Sequence, residues 1–309
     1  MNVTVAICTW NRAALLDQTL TRMRELVVPP GLEWELLVVN NNCTDDTDAV
    51  LARYTDVLPL RRLLETKQGL SNARNCAVNH ARGELLIWTD DDVLVDTNWL
   101  AAYVEAAKTY PTAAFFGGPI DPWFEIDPPR WVTRNLQLLD GPFALRRLGP
   151  TTRPFVGAET PYGANMAFRT EILRRHPFDP KLGRIGTGML SGEEAAVIEG
   201  IKAEGGMGIW VAPARVQHFV PASRLTAAYV WKFFHGLGRS SCHEVDHRSQ
   251  VPRFFGAYRW AIRKYLIART LSLLLAPSRG ARWLTHFSGA AVARGIIDES
   301  RANAGGKLA

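Results

Sequence analysis

The run Leu85-Leu86-Ile87-Trp88-Thr89 leads directly into three consecutive carboxylates, Asp90-Asp91-Asp92. That junction restricts what the chain can fold into more than any other feature. Five apolar or β-favouring residues in a row predict a strand buried on both faces. Three adjacent carboxylates cannot share that burial, because each charge raises the cost of ionising the next. They belong at a strand exit, where a divalent cation with a preference for hard oxygen ligands would relieve the conflict. In an open α/β sheet, ligands gather beyond the carboxyl ends of the strands. A solvated acidic turn is the competing explanation, and the triplet alone does not decide between them.

The surrounding pattern supports the sheet. Val3-Thr4-Val5-Ala6-Ile7, residues 34–39 and residues 61–65 read as further strands. Between them, Leu16, Leu20, Met23 and Val27 form a stripe at helical spacing, with Asn11 as the expected cap. A helix capped by Ser71 would turn Ala73, Ala77, Val78 and Ala81 inward and close at Gly83. Strand–turn–helix alternation of this kind predicts a parallel sheet covered by helices. No G-x-G-x-x-G follows the first strand and no G-x-x-x-x-G-K-[ST] occurs, which argues against a dinucleotide oxidoreductase and a P-loop enzyme.

Seven prolines between 117 and 155 predict irregular structure beside a pocket and no separate domain. Segments 208–212 and 215–219 read as two closing strands, and 226–237 as a helix. Two amphipathic helices are expected between 254 and 297, broken near Pro277 and Gly280.

The net charge of +6 conceals an asymmetry: residues from Arg215 onward carry +11, and the preceding ones −5. The acidic part should handle cations and the basic tail an anionic partner. Arg259, Arg263, Lys264 and Arg269 interrupt the apolar run around Leu266, Ile267, Leu271 and Leu274 too often for a membrane-spanning helix. A helix lying on an anionic membrane surface and a helix packed on the catalytic domain both fit. The start of the sequence lacks the signal-peptide pattern, and the four cysteines form no C-x-x-C pair. Both point to a reducing, cytoplasmic setting, and the first reading of the basic tail would add peripheral contact at the cytoplasmic face of the membrane.

Thr9-Trp10-Asn11-Arg12, Gly69-Leu70-Ser71-Asn72-Ala73-Arg74-Asn75 and Thr89-Asp90-Asp91-Asp92 occur in an order that resembles family 2 glycosyltransferases. Gly163-Ala164-Asn165-Met166-Ala167, Gly183-Arg184, Ser191-Gly192-Glu193-Glu194 and Val216-Gln217-His218 extend the likeness to the bacterial inverting members, which have the GT-A fold. The resemblance covers about residues 3–241. It implies a GT-A domain over 1–241, with a nucleotide-binding part to about 118 and an acceptor part from 119. Residues 242–309 would then be a basic helical extension.

The resemblance further implies a nucleotide-diphosphate sugar donor, a divalent cation (Mn²⁺ or Mg²⁺) and a glycan or polyprenyl-linked acceptor. Thr9, Arg12, Asn40, Arg74, Asp90 and Asp91 would lie on the nucleotide-sugar side, Asp92 and His218 on the metal, and Asn165 near the acceptor. Asn40 stands where the family commonly carries an aspartate, which leaves the nucleobase open. Glu194 matches the catalytic base, with Glu193 as the second candidate. Ser191-x-x-Glu194 is also a capping box, in which Glu194 would bond the Ser191 amide instead. Outside this family, a sugar-phosphate nucleotidyltransferase or a non-catalytic glycan- or membrane-binding module would suit parts of the pattern. No nucleic-acid module is recognisable, so nucleic acid is not an expected partner.

Overall fold

The computed structural model describes residues 1–183, 192–246 and 251–305. Its contacts divide the chain into two compact units, 1–123 with 146–219, and 124–145 with 220–309.

The first unit is built on strands β1 (Val3–Thr9), β2 (Trp34–Asn40), β3 (Leu60–Leu64), β4 (Leu85–Asp90) and β5 (Val93–Val95). They are followed by β6 (Phe115–Gly117), β7 (Ile120–Phe124), β8 (Arg153–Pro154), β9 (Asn165–Arg169), β10 (Gly208–Trp210) and β11 (Val216–Val220). Eight of these form one sheet in the order β3-β2-β1-β4-β9-β6-β10-β8, and β5-β11-β7 form a second. Only β9 and β8 run against the other strands of the large sheet. β1, β2 and β4 are buried on both faces, as their unbroken apolar runs require.

Among the helices of the chain, α1 (Ala13–Met23), α2 (Thr47–Ala52), α3 (Leu70–His80) and α4 (Trp99–Thr109) connect the first strands. The later ones are α5 (Arg130–Arg134), α6 (Asp140–Phe143), α7 (Thr170–Arg175), α8 (Glu193–Ala203), α9 (Ala227–Asp246), α10 (Arg259–Leu274) and α11 (Ala281–Gly305). One apolar cluster packs α1 and α4 on one face of the large sheet, and another packs α3 and α8 on the opposite face. Where α3 returns to β4, the backbone of Gly83 lies against the Thr4 amide so closely that a Cβ would collide with it.

Several local expectations change. Asn11 does not cap α1; it adopts a left-handed φ of 52° and accepts a bond from the Thr44 amide. The open amide of Ala13 is taken by Asp45 at 2.9 Å, a cap supplied from 32 residues away. Ser71 lies inside α3 and donates to the Leu182 carbonyl. Val27 falls beyond α1 and is exposed, so the apolar stripe ends at Met23.

The second unit has two apolar clusters of its own, one around Trp131, Phe143, Val230 and Trp283, the other around Cys242, Tyr258 and Ile297. The proline-rich segment is more ordered than expected, because α5 and α6 form within it and contribute to the first of these clusters. α11 packs against both α9 and α10. Position 241, where a boundary was expected, lies inside α9. Among the described residues, no helix is long and apolar enough to cross a membrane.

Candidate active site

In the order β3-β2-β1-β4, successive connections leave β1 toward opposite sides, so a crevice opens at the carboxyl ends of β1 and β4. The register pairs Cys8 with Asp90, which sets Thr9 and the aspartate turn side by side. Thr9 Oγ1 donates to Asp91 at 2.8 Å, and Arg12 reaches Asp91 at 3.1 Å and Asp92 at 2.6 Å. Thr19 holds the same turn, donating to the Asp91 carbonyl and accepting from the Val93 amide. Nothing in the apolar stripe of α1 marked that residue as part of the site, since a threonine between Leu16 and Leu20 reads as a core position.

Charge in this turn is redistributed by burial. Burial, and then the neighbouring Asp92 charge, push the Asp91 carboxyl up to about 7, against the pull of Arg12 and Thr9. For Arg12, burial works against the charged form, but the aspartates outweigh it and raise its pKa. Asp91 thus points inward and ties β1 to β4, and Arg12 spans two of the three carboxylates.

Ligand atoms of Asp90, Asp92 and His218 lie within 4.8 Å of one another. His218 is brought in by β11, whose register pairs it with Val93, while the Phe219 amide donates to the Asp92 carbonyl. His218 Nε2 is 3.5 Å from Asp92 Oδ1. Among the described residues, that carboxylate oxygen and His218 Nδ1 are buried without a hydrogen-bond partner, a costly state that a cation relieves on the oxygen side. Two carboxylates and an imidazole are a donor set that suits Mn²⁺ or a similar divalent ion. The residues fit a cation.

The first turn of α8 presents Glu193 and Glu194, and the charges of both and of Asp90 act on Arg74. Arg74, expected on the nucleotide side, is buried with its guanidinium 2.8 Å from Glu193 and 3.7 Å from Glu194. It rests over the rings of Phe178 and Trp88, and Gly163 leaves no room for a Cβ beside its Nη2. Burial raises the pKa of Glu193 despite Arg74. For Glu194 burial acts in the same direction, but the Arg74 charge and the Gly163 amide overcome it and lower the pKa. The two carboxyls are thus shifted in opposite directions, Glu193 up and Glu194 down. The capping partner considered for Glu194, Ser191, lies outside the described residues, as does Arg184.

Two residues expected at the site have their amides engaged within the fold, Asn165 and Asn40. Asn165 was expected near the acceptor. It is fully buried, accepts from Trp99 Nε1 and Tyr103 Oη, and donates to the carbonyls of Pro119 and Ala214. All its amide capacity is spent inside the fold. Asn40 at the end of β2 is also engaged locally, donating to Asp48 and accepting from the Cys43 amide.

The sheet, the strand-end carboxylates and the glutamates of α8 define a GT-A glycosyltransferase. The family model described as Glycosyl transferase family 2 matches residues 4–176, and the chain belongs to that family. Succinoglycan biosynthesis protein ExoM of Rhizobium meliloti (strain 1021) is 26% identical over 239 residues, spanning 75% of this chain and 71% of that protein. Validoxylamine A glucosyltransferase of Streptomyces hygroscopicus subsp. limoneus is 32% identical over 114 residues, 36% of this chain and 25% of the relative. Among solved structures, the mannosyltransferase PcManGT from Pyrobaculum calidifontis in complex with GDP-Man and Mn²⁺ aligns with a TM-score of 0.57 at 20% identity, covering 94% of this chain and 86% of that one. S. aureus TarS 1-349 in complex with UDP-GlcNAc aligns with a TM-score of 0.53 at 16% identity, covering 99% and 92%.

Proposed function

We propose that this glycosyltransferase moves a sugar, with inversion, from a nucleotide-diphosphate donor to a hydroxyl of a glycan or lipid-linked acceptor at the cytoplasmic face of the membrane. The observation that carries the reading is the Asp90–Asp92–His218 cluster together with Glu194, a half-buried carboxylate held by Arg74 with its pKa lowered. Inversion needs one base on the acceptor side, opposite the departing diphosphate. Glu194 takes the acceptor proton, and Arg74 fixes both glutamates through its contacts with them. Asp90, Asp92 and His218 would hold the cation, which when bound neutralises charge developing on the leaving diphosphate. Thr9 and Arg12 keep the aspartate turn in position for it.

Support comes from the fold shared with a structure that binds GDP-Man and Mn²⁺ and another that binds UDP-GlcNAc. The name of the ExoM relative favours a polysaccharide product. The test is a thermal-shift screen of UDP, GDP, dTDP and CMP sugars with and without Mn²⁺, followed by NMR of the product anomer. A donor that stabilises the protein only with Mn²⁺ and yields the inverted anomer is expected. Retention of configuration would overturn the reading.

A further inference from the structure

Residues 251–297 contain eight Lys and Arg and no Asp or Glu. Within this stretch, α10 buries Ala261, Ala268 and Ser272, a face at helical spacing that fits its packing against α11. The opposite face carries Trp260, Arg263, Lys264, Ile267 and Leu274 at the same spacing. It is uncovered, with Ile267 51% and Leu274 72% exposed. Aliphatic side chains held this far into water, in one row, mark a contact surface. Arg263 and Lys264 have no carboxylate partner among the described residues, whereas Arg269 and Arg294 are engaged over aromatic rings inside the unit.

A groove of about 450 Å³ opens along this face, lined by Trp260, Arg263, Lys264, Ile267 and His286 among others. Its surface is mainly apolar, and Arg263, Lys264 and His286 are among the residues that line it. The segment leading into it is a short hairpin, Arg253–Phe254 paired with Ala257–Tyr258, whose Tyr258 ring stacks on Trp260. At the hairpin tip, Phe255 is 81% exposed and holds a left-handed φ of 47°, a conformation unfavourable for a bulky side chain.

We propose that the outer face of α10, with the groove at its basic end, docks on an anionic phospholipid bilayer and seats a lipid phosphate between Arg263, Lys264 and His286. This deepens the membrane-associated part of the proposed function and rests on that part alone. Three alternatives fit the face less well. A second copy would bring basic faces together with no carboxylate in 251–297 to receive them. Nucleic acid would use the cations but leave the aliphatic row in water, since bases stack on aromatic rings. A free anion would not explain Ile267, Leu274 or Phe255. A bilayer uses both parts, with ammonium and guanidinium groups at the phosphates and the aliphatic groups at the acyl boundary.

The experiment is flotation of the intact protein with vesicles of phosphatidylcholine alone and with phosphatidylglycerol added, with transfer activity on a soluble acceptor measured in parallel. Binding should favour the phosphatidylglycerol vesicles and be lost at about 1 M salt. R263Q/K264Q should weaken partitioning roughly 30-fold, from the combined contribution of two basic residues. I267S/L274S should weaken it too, and both variants should keep soluble-acceptor activity and the melting temperature. Equal binding to both vesicle types, or unchanged partitioning of R263Q/K264Q, would overturn the proposal. So would displacement by millimolar inorganic phosphate, which would make the groove a free-anion site. A dimer broken by I267S/L274S with vesicle binding intact would assign the face to a second copy. Loss of transfer activity in wild type would count against the catalytic reading and leave this result standing.

Discussion

Arg74 and Glu193, 119 residues apart in sequence, meet at 2.8 Å with both side chains only 4% exposed. This ion pair joins α3 to the start of α8 and so fixes where Glu194 stands relative to the aspartate turn. The family resemblance implied a nucleotide contact for Arg74. The fold instead gives it a stacking bed of Phe178 and Trp88 and a glycine, Gly163, that makes space for its tip. Arg74 is thus a positioning residue for the glutamates.

Removing one partner of a buried pair strands the other charge. Arg74→Met should therefore destabilise the protein by about 3–5 kcal/mol. Arg74→Met combined with Glu193→Met should cost much less than the sum of the single changes, because neither partner is left uncompensated. Urea unfolding of the four proteins in the cycle measures this. Additive losses would mean that the two side chains are neighbours without being coupled.

The opposite shifts of the two glutamates make a kinetic prediction. Glu194→Gln should lower turnover on the order of 10²-fold or more, with donor affinity and unfolding midpoint little changed, whereas Glu193→Gln should retain most activity. A base must be ionised, and the Glu194 pKa lies below the ordinary glutamate value. The acid limb of kcat against pH should accordingly fall below that value, with activity present above the limb and lost as pH drops through it. Arg74→Gln removes the charge that lowers this pKa, so the limb should move to higher pH. A limb that stays in place in Arg74→Gln would detach Arg74 from the base.

The parts of this site that were legible in the sequence are those governed by short-range rules. β4 and its aspartates could be read because continuous apolar residues bury a strand and adjacent carboxylates cannot follow it inside. The later helices α10 and α11 could be read from their periodicity and the Pro277–Gly280 break. What could not be read depends on partners far away in the chain. Asp45 and not the adjacent Asn11 takes the Ala13 amide, since a cap is filled by whichever oxygen the fold brings near. Asn165 sits in a motif shared across the family, and a motif does not say whether its amide faces a ligand or the core. The ordering of the proline-rich segment likewise needed α9 and α11, residues more than eighty positions later, to cover α5 and α6.

For the cation, Asp92→Asn and His218→Ala should each abolish the extra stability that Mn²⁺ with donor gives the wild type. That increment is about 2.7 kcal/mol at a ligand concentration 100 times Kd. Asp92 is buried and paired with Arg12, so Asp92→Asn should also lower stability without any ligand, more than the ~0.5 kcal/mol typical of a surface change. Isothermal titration of Mn²⁺ into each variant provides a check independent of activity. Wild-type Mn²⁺ affinity in His218→Ala would remove the imidazole from the ligand set.

Asn165 separates a structural role from an acceptor role most cleanly. Its side chain satisfies Trp99 Nε1, Tyr103 Oη and two backbone carbonyls in a fully buried position. Asn165→Ala would take this partner from Trp99 Nε1, Tyr103 Oη and the Ala214 carbonyl, while the Pro119 carbonyl keeps the Val216 amide, at roughly 1–3 kcal/mol for each group that is left unpaired and that water cannot reach. A loss of several kcal/mol is large against a total stability of about 5–15 kcal/mol. The variant should therefore melt well below wild type or accumulate in the insoluble fraction. Any activity in the soluble part should follow the folded fraction, with acceptor KM unchanged. A variant that melts like wild type but shows a raised acceptor KM would put Asn165 back in contact with the acceptor.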